Sequence, residues 1–415
     1  MKINAIKFYT ILFVIVIFTQ LYFTFKITIF IQLFVLSIFF ILEKNTISLR
    51  FLKTIVPIIY LFAIGLFGMI IYRYQFYNIN KDILHFIKPI LGVSLGYFFY
   101  KKINNLKLFA KTIVITGFLS SIVHFLLILS IQKIYNVADL RSQGTDNFIE
   151  LMAVLFLLFY KKFEKENLFQ NTLLRRILLF TIIISSILYF SRTMFMMTFI
   201  ALLTIYGYTT ITIKTIKVIS TLMGFTILFY IFLFSININR NRGGVESFLY
   251  KLKNAPAEVF KSKVDRENHA DLWDHWRGYE ASRAVALLNE NPISYIFGCG
   301  YGSLVNLKLY APLSKDDIKG MKYISELHNG YLYILYKTGI IGIFFYLFFL
   351  IKLYSKIYKN QNFISIFISF IGLSYIVTTL VTVGINNSND ALMILLGALL
   401  VFDEKTNIKT ILSND

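Results

Sequence analysis

The residues His328-Asn329-Gly330 stand directly before an apolar run and combine a titratable ring with a predicted helix start. The positive end of a helix disfavours an imidazolium ion, which predicts a neutral His328 ring that accepts a proton at neutral pH. The same helix end attracts phosphate-like anions. A His that only caps the helix would give the same pattern, so the sequence leaves a structural and a catalytic interpretation open.

Two arginines lie where they would meet an anion at the membrane surface. The apolar stretch 177–213 is too long for one span, and Arg192 lies where the chain must turn back on the outer side. Arg141 opens the polar cluster 141–146, where Gly144 permits an irregular backbone with exposed N–H groups. Snorkelling of Arg192 and a solvated loop around Arg141 are the competing interpretations.

A third set of polar residues lies on an amphipathic helix predicted over 268–290, whose apolar face carries both tryptophans. Arg277 and Arg283 each lie about one turn from Glu280. Salt bridges within this helix are therefore the default expectation, and a role in chemistry is the alternative.

Alternating glycines at 298, 300 and 302 follow the amphipathic helix. Gly300 and Gly302 would allow a tight turn and a close approach of the backbone to a ligand. The spacing differs from a dinucleotide-binding fingerprint, and no strand–helix context supports one. A plain turn is equally compatible with these glycines.

The composition indicates that these candidate residues belong to a membrane protein. Apolar residues make up 57% of the chain and charged residues 15%, whereas soluble domains have about 45–50% and 25%. This composition excludes a soluble protein, and a single Cys excludes a disulfide-framed domain and a multi-cysteine metal site. The net charge of +20 therefore reflects membrane topology and predicts no nucleic-acid partner.

Twelve apolar runs predict an all-α polytopic membrane protein with about twelve transmembrane helices. The runs are roughly 5–23, 27–42, 54–72, 83–100, 110–130, 147–160, 177–190, 194–213, 217–236, 330–352, 362–383 and 390–402. No small-residue cleavage site follows the first run, so we expect a retained anchor and not a removed signal peptide.

Lys and Arg residues set the expected orientation. With the N-terminus in the cytoplasm, 21 of the 42 lie in cytoplasmic connections and termini, whereas seven lie in the opposite short connections. Both termini are therefore predicted to be cytoplasmic. The chain then divides into transmembrane helices 1–9 at 1–236, a large periplasmic loop at 237–329, and transmembrane helices 10–12 with a cytoplasmic tail at 330–415.

These motifs together resemble the O-antigen polymerase/O-antigen ligase family of polytopic membrane glycosyltransferases. The motifs are Trp276-Arg-Gly-Tyr-Glu280, Asn291-Pro292, Gly298-Cys-Gly-Tyr-Gly302, His328-Asn-Gly-Tyr-Leu332, Gly339-Ile-Ile-Gly342 and Ser191-Arg192. The resemblance covers residues 273–345 by motif and the N-terminal third by topology only. It implies a GT-C-like fold and transfer of a glycan from undecaprenyl diphosphate to an acceptor hydroxyl outside the inner membrane, with no metal and no cofactor.

The resemblance also implies roles for the candidate residues. His328 would be the general base on the attacking sugar hydroxyl, and Glu280 would orient the base or an arginine. Arginine suits the leaving diphosphate because its planar, permanently charged fork pairs with phosphate oxygens. The residues expected to bind diphosphate or glycan are Arg192 and Arg277, then Arg141 and Arg283, and also Gly300, Gly302 and Asn329.

Two departures from the family pattern limit this transfer of roles. Thr193 follows the Ser-Arg pair, where a smaller residue is common. Arg277 stands only two positions before Tyr279, so the choice between Arg277 and Arg283 stays open.

Three functions are compatible with the sequence. A polymerase that extends lipid-linked repeats is favoured over a ligase that transfers the chain to lipid A–core, and a flippase or other transporter is the third. The expected partners are an undecaprenyl-diphosphate-linked oligosaccharide and membrane lipids, and a polysaccharide chain-length regulator is a further candidate.

Overall fold

A computed structural model describes residues 5–43, 46–131, 140, 146–239, 245–260, 264–265, 267–312 and 320–412. Its N-terminal half is built from helices. These helices are α1 Ala5–Tyr22, α2 Phe25–Glu43, α3 Leu49–Ile71, α4 Phe76–Ile103, α5 Leu106–Leu129, α6 Phe148–Glu164, α7 Thr172–Leu188, α8 Arg192–Ile205 and α9 Ile213–Ser235. Arg141 and Gly144 lie outside the described residues.

The remaining elements form a segment that the sequence predicts to be periplasmic, here called the outer segment, and a second group of long helices. In chain order they are α10 Val245–Phe260, α11 His269–Asp274, α12 Trp276–Glu290, α13 Ser294–Phe297, β1 Val305–Ala311, β2 Met321–Ile324, α14 Gly330–Tyr354, α15 Phe363–Thr378 and α16 Leu392–Leu412. Short 3-10 helices at Ser355–Tyr358 and Gly384–Asn386 flank α15.

Several of these helices cross a membrane, so the protein is a multi-pass membrane protein. Among the described residues, six helices are long and apolar enough to span, and three shorter apolar helices accompany them. Each of the twelve predicted runs overlaps a helix, but the exact number of twelve spans is not confirmed. One reason is visible in α7, where Arg175 and Arg176 interrupt the apolar window.

The helix starts follow from local hydrogen bonding. A Ser, Thr or Asn before each of eight helices accepts a backbone N–H of the first turn through its side-chain oxygen, which satisfies a donor that the helix itself leaves free. The eight capping residues are Ser48, Asn105, Asn147, Asn171, Ser191, Thr212, Asn329 and Asn362. Two of them, Ser191 and Asn329, start the helices that carry or follow candidate site residues.

The core lies between α4, α16 and their neighbours, where small residues allow the helix backbones to approach. A Cβ at Gly96 would overlap the Ile394 carbonyl, and one at Gly397 would overlap the Val93 carbonyl. Transmembrane helices associate closely where small residues face each other. This contact makes α4 a fixed support on which the outer segment is anchored.

The outer segment is more structured than the sequence predicts. The single helix expected over 268–290 is two helices, α11 and α12, which are separated at His275 where the backbone leaves helical geometry. Its apolar face is confirmed, since Trp276, Ala284 and Leu288 are buried. The antiparallel pair β1–β2 was not predicted, although β1 alternates apolar and polar residues as a half-buried strand does.

Candidate active site

His328 lies immediately before α14, and its ring contacts the carboxylate of Glu280 on α12. Nδ1 of His328 is 2.9 Å from Oε2 and 3.1 Å from Oε1 of Glu280. The backbone N–H of His328 also donates to Oε2 at 3.0 Å. The carboxylate therefore engages Nδ1 of the ring and not Nε2.

Glu280 is held rigidly for this contact. Its side chain is buried, and the indole N–H of Trp276 donates to Oε1 at 2.6 Å from one turn earlier on α12. The His328 side chain, in contrast, is 52% exposed. A fixed, buried carboxylate therefore orients a ring that is open to the surface.

The electrostatics of His328 differ from the sequence-based expectation. The hydrogen bond from the His328 ring to Glu280 raises the pKa of His328, and this effect outweighs partial desolvation, which lowers it. Smaller contributions come from Arg277, which lowers the pKa, and from Glu326, which raises it. The expectation of a neutral ring took only the helix end into account, whereas the direct bond to a carboxylate favours the imidazolium.

Arg192 and Arg277 meet at a single carboxylate, that of Glu258 on α10. Nη1 and Nη2 of Arg192 are 3.2 Å and 3.1 Å from Oε2 of Glu258, while Nη1 of Arg277 is 2.6 Å from Oε1. They border a cavity of about 270 Å³, which is lined by Arg192, Tyr250, Lys251, Asn254, Glu258, Trp273, Asp274 and Arg277. Two guanidinium groups that converge on one carboxylate can hold an anion between them.

The two arginines of α12 have different environments. Arg283 donates through Nε to the Asn306 carbonyl of β1 at 2.9 Å, so it braces the sheet. Arg277 joins Arg192 in the cavity. The expected salt bridges within the helix are wrong, because Glu280 bonds to Trp276 and His328 while both arginines bond outside α12.

Gly300 packs against α3, and Gly302 packs against Tyr74 in the connection between α3 and α4. Their φ angles are +77° and +94°, a region that favours glycine. A Cβ at Gly300 would overlap the Gly68 backbone of α3, and one at Gly302 would collide with Tyr74. Their backbone N–H groups are also used, since Gly300 donates to the Lys337 carbonyl at 3.0 Å and Gly302 to an Asp82 oxygen at 2.7 Å.

Asn329 has a structural task in the same region. Its side-chain oxygen accepts the Leu332 N–H at 3.2 Å and so caps α14. This cap fixes the first turn of the helix that follows His328. A contact of Asn329 with substrate stays a prediction.

Sequence reasoning missed three sets of charged residues around the site. Glu258 carries no local pattern, because its partners lie 19 and 66 residues away. Asp82 and Lys337 form a fully buried ion pair at 2.5 Å, and two opposite charges inside apolar runs could have suggested it. Glu326 is 3.2 Å from both Lys81 and His85. Among the described residues, no group of three or more His, Cys, Asp or Glu side chains is arranged to hold a metal ion.

Part of the chain matches a known protein family. Residues 177–347 match a family model described as O-antigen ligase. This range extends from α7 into α14 and includes Arg192, Glu258, Arg277, Glu280 and His328. No curated protein and no solved structure matches the chain.

Proposed function

We propose that this protein, which belongs to the O-antigen polymerase and ligase family through residues 177–347, is a polymerase of lipid-linked oligosaccharide repeats. It works at the periplasmic face of the inner membrane, with undecaprenyl diphosphate carrying the donor glycan. The acceptor is a sugar hydroxyl of a second lipid-linked repeat. The His328–Glu280 pair carries the proposal, since glycosyl transfer to a hydroxyl needs a group that removes its proton.

In the proposed reaction, His328 removes the proton of the acceptor hydroxyl. As the acceptor oxygen forms a bond to the anomeric carbon, its proton moves to Nε2 of His328, while the bond from that carbon to the diphosphate breaks. Glu280 keeps the ring oriented and stabilises the imidazolium that forms. General-base assistance of this kind contributes about 10²–10⁴-fold to the rate. Attack from the face opposite the diphosphate inverts the anomeric configuration.

The leaving diphosphate takes the electron pair of the broken bond, so negative charge grows on its oxygens. Arg192 and Arg277 are assigned to meet this charge, because they already converge on one carboxylate. Guanidinium groups suit this role, since they pair bidentately with phosphate oxygens and stay charged. Gly300, Gly302 and Asn329 support the site by holding the start of α14 and the turn beside it.

A ligase is the second candidate, and the description of the matched family favours it. A ligase would use the same donor and the same base but would transfer the finished chain to lipid A–core. The two activities therefore differ in the acceptor and not in the residues named above.

A gene-deletion strain distinguishes these functions when its surface polysaccharide is separated on a gel. Loss of a polymerase leaves products with a single repeat, whereas loss of a ligase leaves bare core and long lipid-linked chains. Loss of a flippase leaves single repeats in the cytoplasm. Complementation with His328→Ala should restore no polymer although the protein accumulates normally, and full restoration would exclude His328 as the base.

A further inference from the structure

We infer that Glu258 is an internal competitor of the lipid diphosphate, whose carboxylate occupies the anion position between Arg192 and Arg277. The inference rests on the proposed function and deepens it, because it concerns how the same cavity admits its donor. Each oxygen of Glu258 faces a different guanidinium. A diphosphate that binds both arginines must take the place of this carboxylate.

Charge in the cavity favours such an exchange. The lining contains the three cations Arg192, Lys251 and Arg277 and the two anions Glu258 and Asp274, a formal charge of +1. Once Glu258 moves away, the formal charge of the remaining lining becomes +2, which complements a diphosphate. Carboxylate and phosphate oxygens both accept charge-assisted hydrogen bonds from a guanidinium. Glu258 therefore holds the arginines in the orientation that the diphosphate needs.

The position of Glu258 in α10 allows it to move. Pro256 lies two residues earlier and cannot donate to the Leu252 carbonyl, which accepts the Tyr230 hydroxyl at 3.3 Å. The hydrogen-bond ladder of the helix is thus interrupted just before Glu258. The last turn of α10 can therefore reorient without breaking a hydrogen bond from residue 256.

Competition between Glu258 and the diphosphate lowers the apparent affinity of the protein for its donor. If the carboxylate occupies the anion position about nine-tenths of the time, the apparent affinity for a diphosphate is about tenfold weaker than the intrinsic one. Neutralising Glu258 removes the competitor and leaves both arginines in place. A residue that only positions the arginines would have the opposite effect, since its loss would weaken binding.

Binding of farnesyl diphosphate to the full-length protein in detergent tests the inference by titration calorimetry. Glu258→Gln should bind about tenfold more tightly than the wild type. Asp274→Asn removes the same charge from the cavity lining at a residue that accepts the Tyr250 hydroxyl, so it should tighten binding by no more than about threefold through general electrostatics. Glu246→Gln, on the same helix but bonded to the Asn239 backbone, should leave binding unchanged.

The outcomes separate the inference from the proposed function. If Arg192→Ala and Arg277→Ala each bind farnesyl diphosphate as tightly as the wild type, the diphosphate site itself is wrong. If binding depends on both arginines but Glu258→Gln binds equally or more weakly, only the competitor role is wrong. Equal tightening by Glu258→Gln and Asp274→Asn also overturns it, because charge alone would then explain the effect.

Discussion

Glu280 affects His328 in two ways that act in opposite directions at neutral pH. It orients the ring through Nδ1, which in the proposed mechanism leaves Nε2 to face the acceptor, and it raises the pKa of the same ring. A raised pKa means that, on acidification, the unprotonated base is lost at a higher pH than for a free His. Below the raised pKa, Glu280 therefore keeps the His328 ring oriented but also favours its protonated form, which cannot accept another proton.

The variant Glu280→Gln should separate these two effects. With the carboxylate gone, the pKa of His328 falls, so the acidic limb of the kcat/KM profile should move to lower pH. The plateau rate should drop by about tenfold or more, because the ring loses its orienting charge. Assays of glycan transfer across pH 5–9 measure both effects, and an acidic limb that stays in place would contradict the assignment of His328 as the titrating base.

Arg192→Lys tests whether the diphosphate is bound by a forked guanidinium. Both terminal nitrogens of Arg192 contact Glu258, and a lysine offers one compact charge in place of this fork. We expect Arg192→Lys to lose about 10²-fold in kcat, close to the loss in Arg192→Ala. Arg175→Lys, at the start of α7 where Arg175 bonds to Asn167, is the matched control and should be fully active. Full activity of Arg192→Lys would indicate that Arg192 only anchors the helix end.

At the scale of elements, the ion pair Asp82–Lys337 joins three parts of the fold. Asp82 lies on α4 and Lys337 on α14, and both are fully buried. Asp82 also accepts the Gly302 N–H, and Lys337 donates to the Ser303 carbonyl at 2.5 Å. The turn at residues 298–302, called the glycine turn, is thus linked by hydrogen bonds to α14, the helix that begins two residues after His328.

Breaking this pair should destabilise the protein more than removing both charges. Lys337→Met leaves a buried carboxylate without its cation, which costs about 3–5 kcal/mol. The double variant Asp82→Asn with Lys337→Met keeps an acceptor for Gly302 and should recover part of that loss. Thermal unfolding in detergent measures both variants, and a double variant less stable than Lys337→Met would contradict this account.

At the scale of the whole molecule, the orientation of the chain is the prediction that the helices alone do not settle. Glu290 at the end of α12 and Lys359 after α14 are both exposed and lie on opposite sides in the proposed topology. Glu290→Cys should react with a membrane-impermeant maleimide in spheroplasts, whereas Lys359→Cys should react only after lysis. The native Cys299 gives a low background, because burial raises the pKa of its thiol and leaves little thiolate. Labelling of Lys359→Cys before lysis would reverse the orientation.

The sequence predicts the fold and the site to different extents. Hydrophobic runs locate the helices, since transmembrane length and composition are local properties, and the motif at His328 locates one half of the catalytic pair. The contact with Glu280 spans 48 residues and came only from family resemblance. Glu258 could not be found, because a carboxylate on a polar helix looks the same whether it faces water or two arginines. The strands β1 and β2 were missed, although the alternation in 305–311 was available.

The distance along the chain between Glu280 and His328 also has a consequence for biosynthesis. The ribosome releases Glu280 before His328, and the residues between them include both strands and the glycine turn. The contact between Glu280 and His328 can therefore form only after this whole segment has been synthesised and has folded back onto the start of α14. In the proposed mechanism, a nascent chain that has not completed this segment carries the base and its partner apart, and we expect it to be inactive.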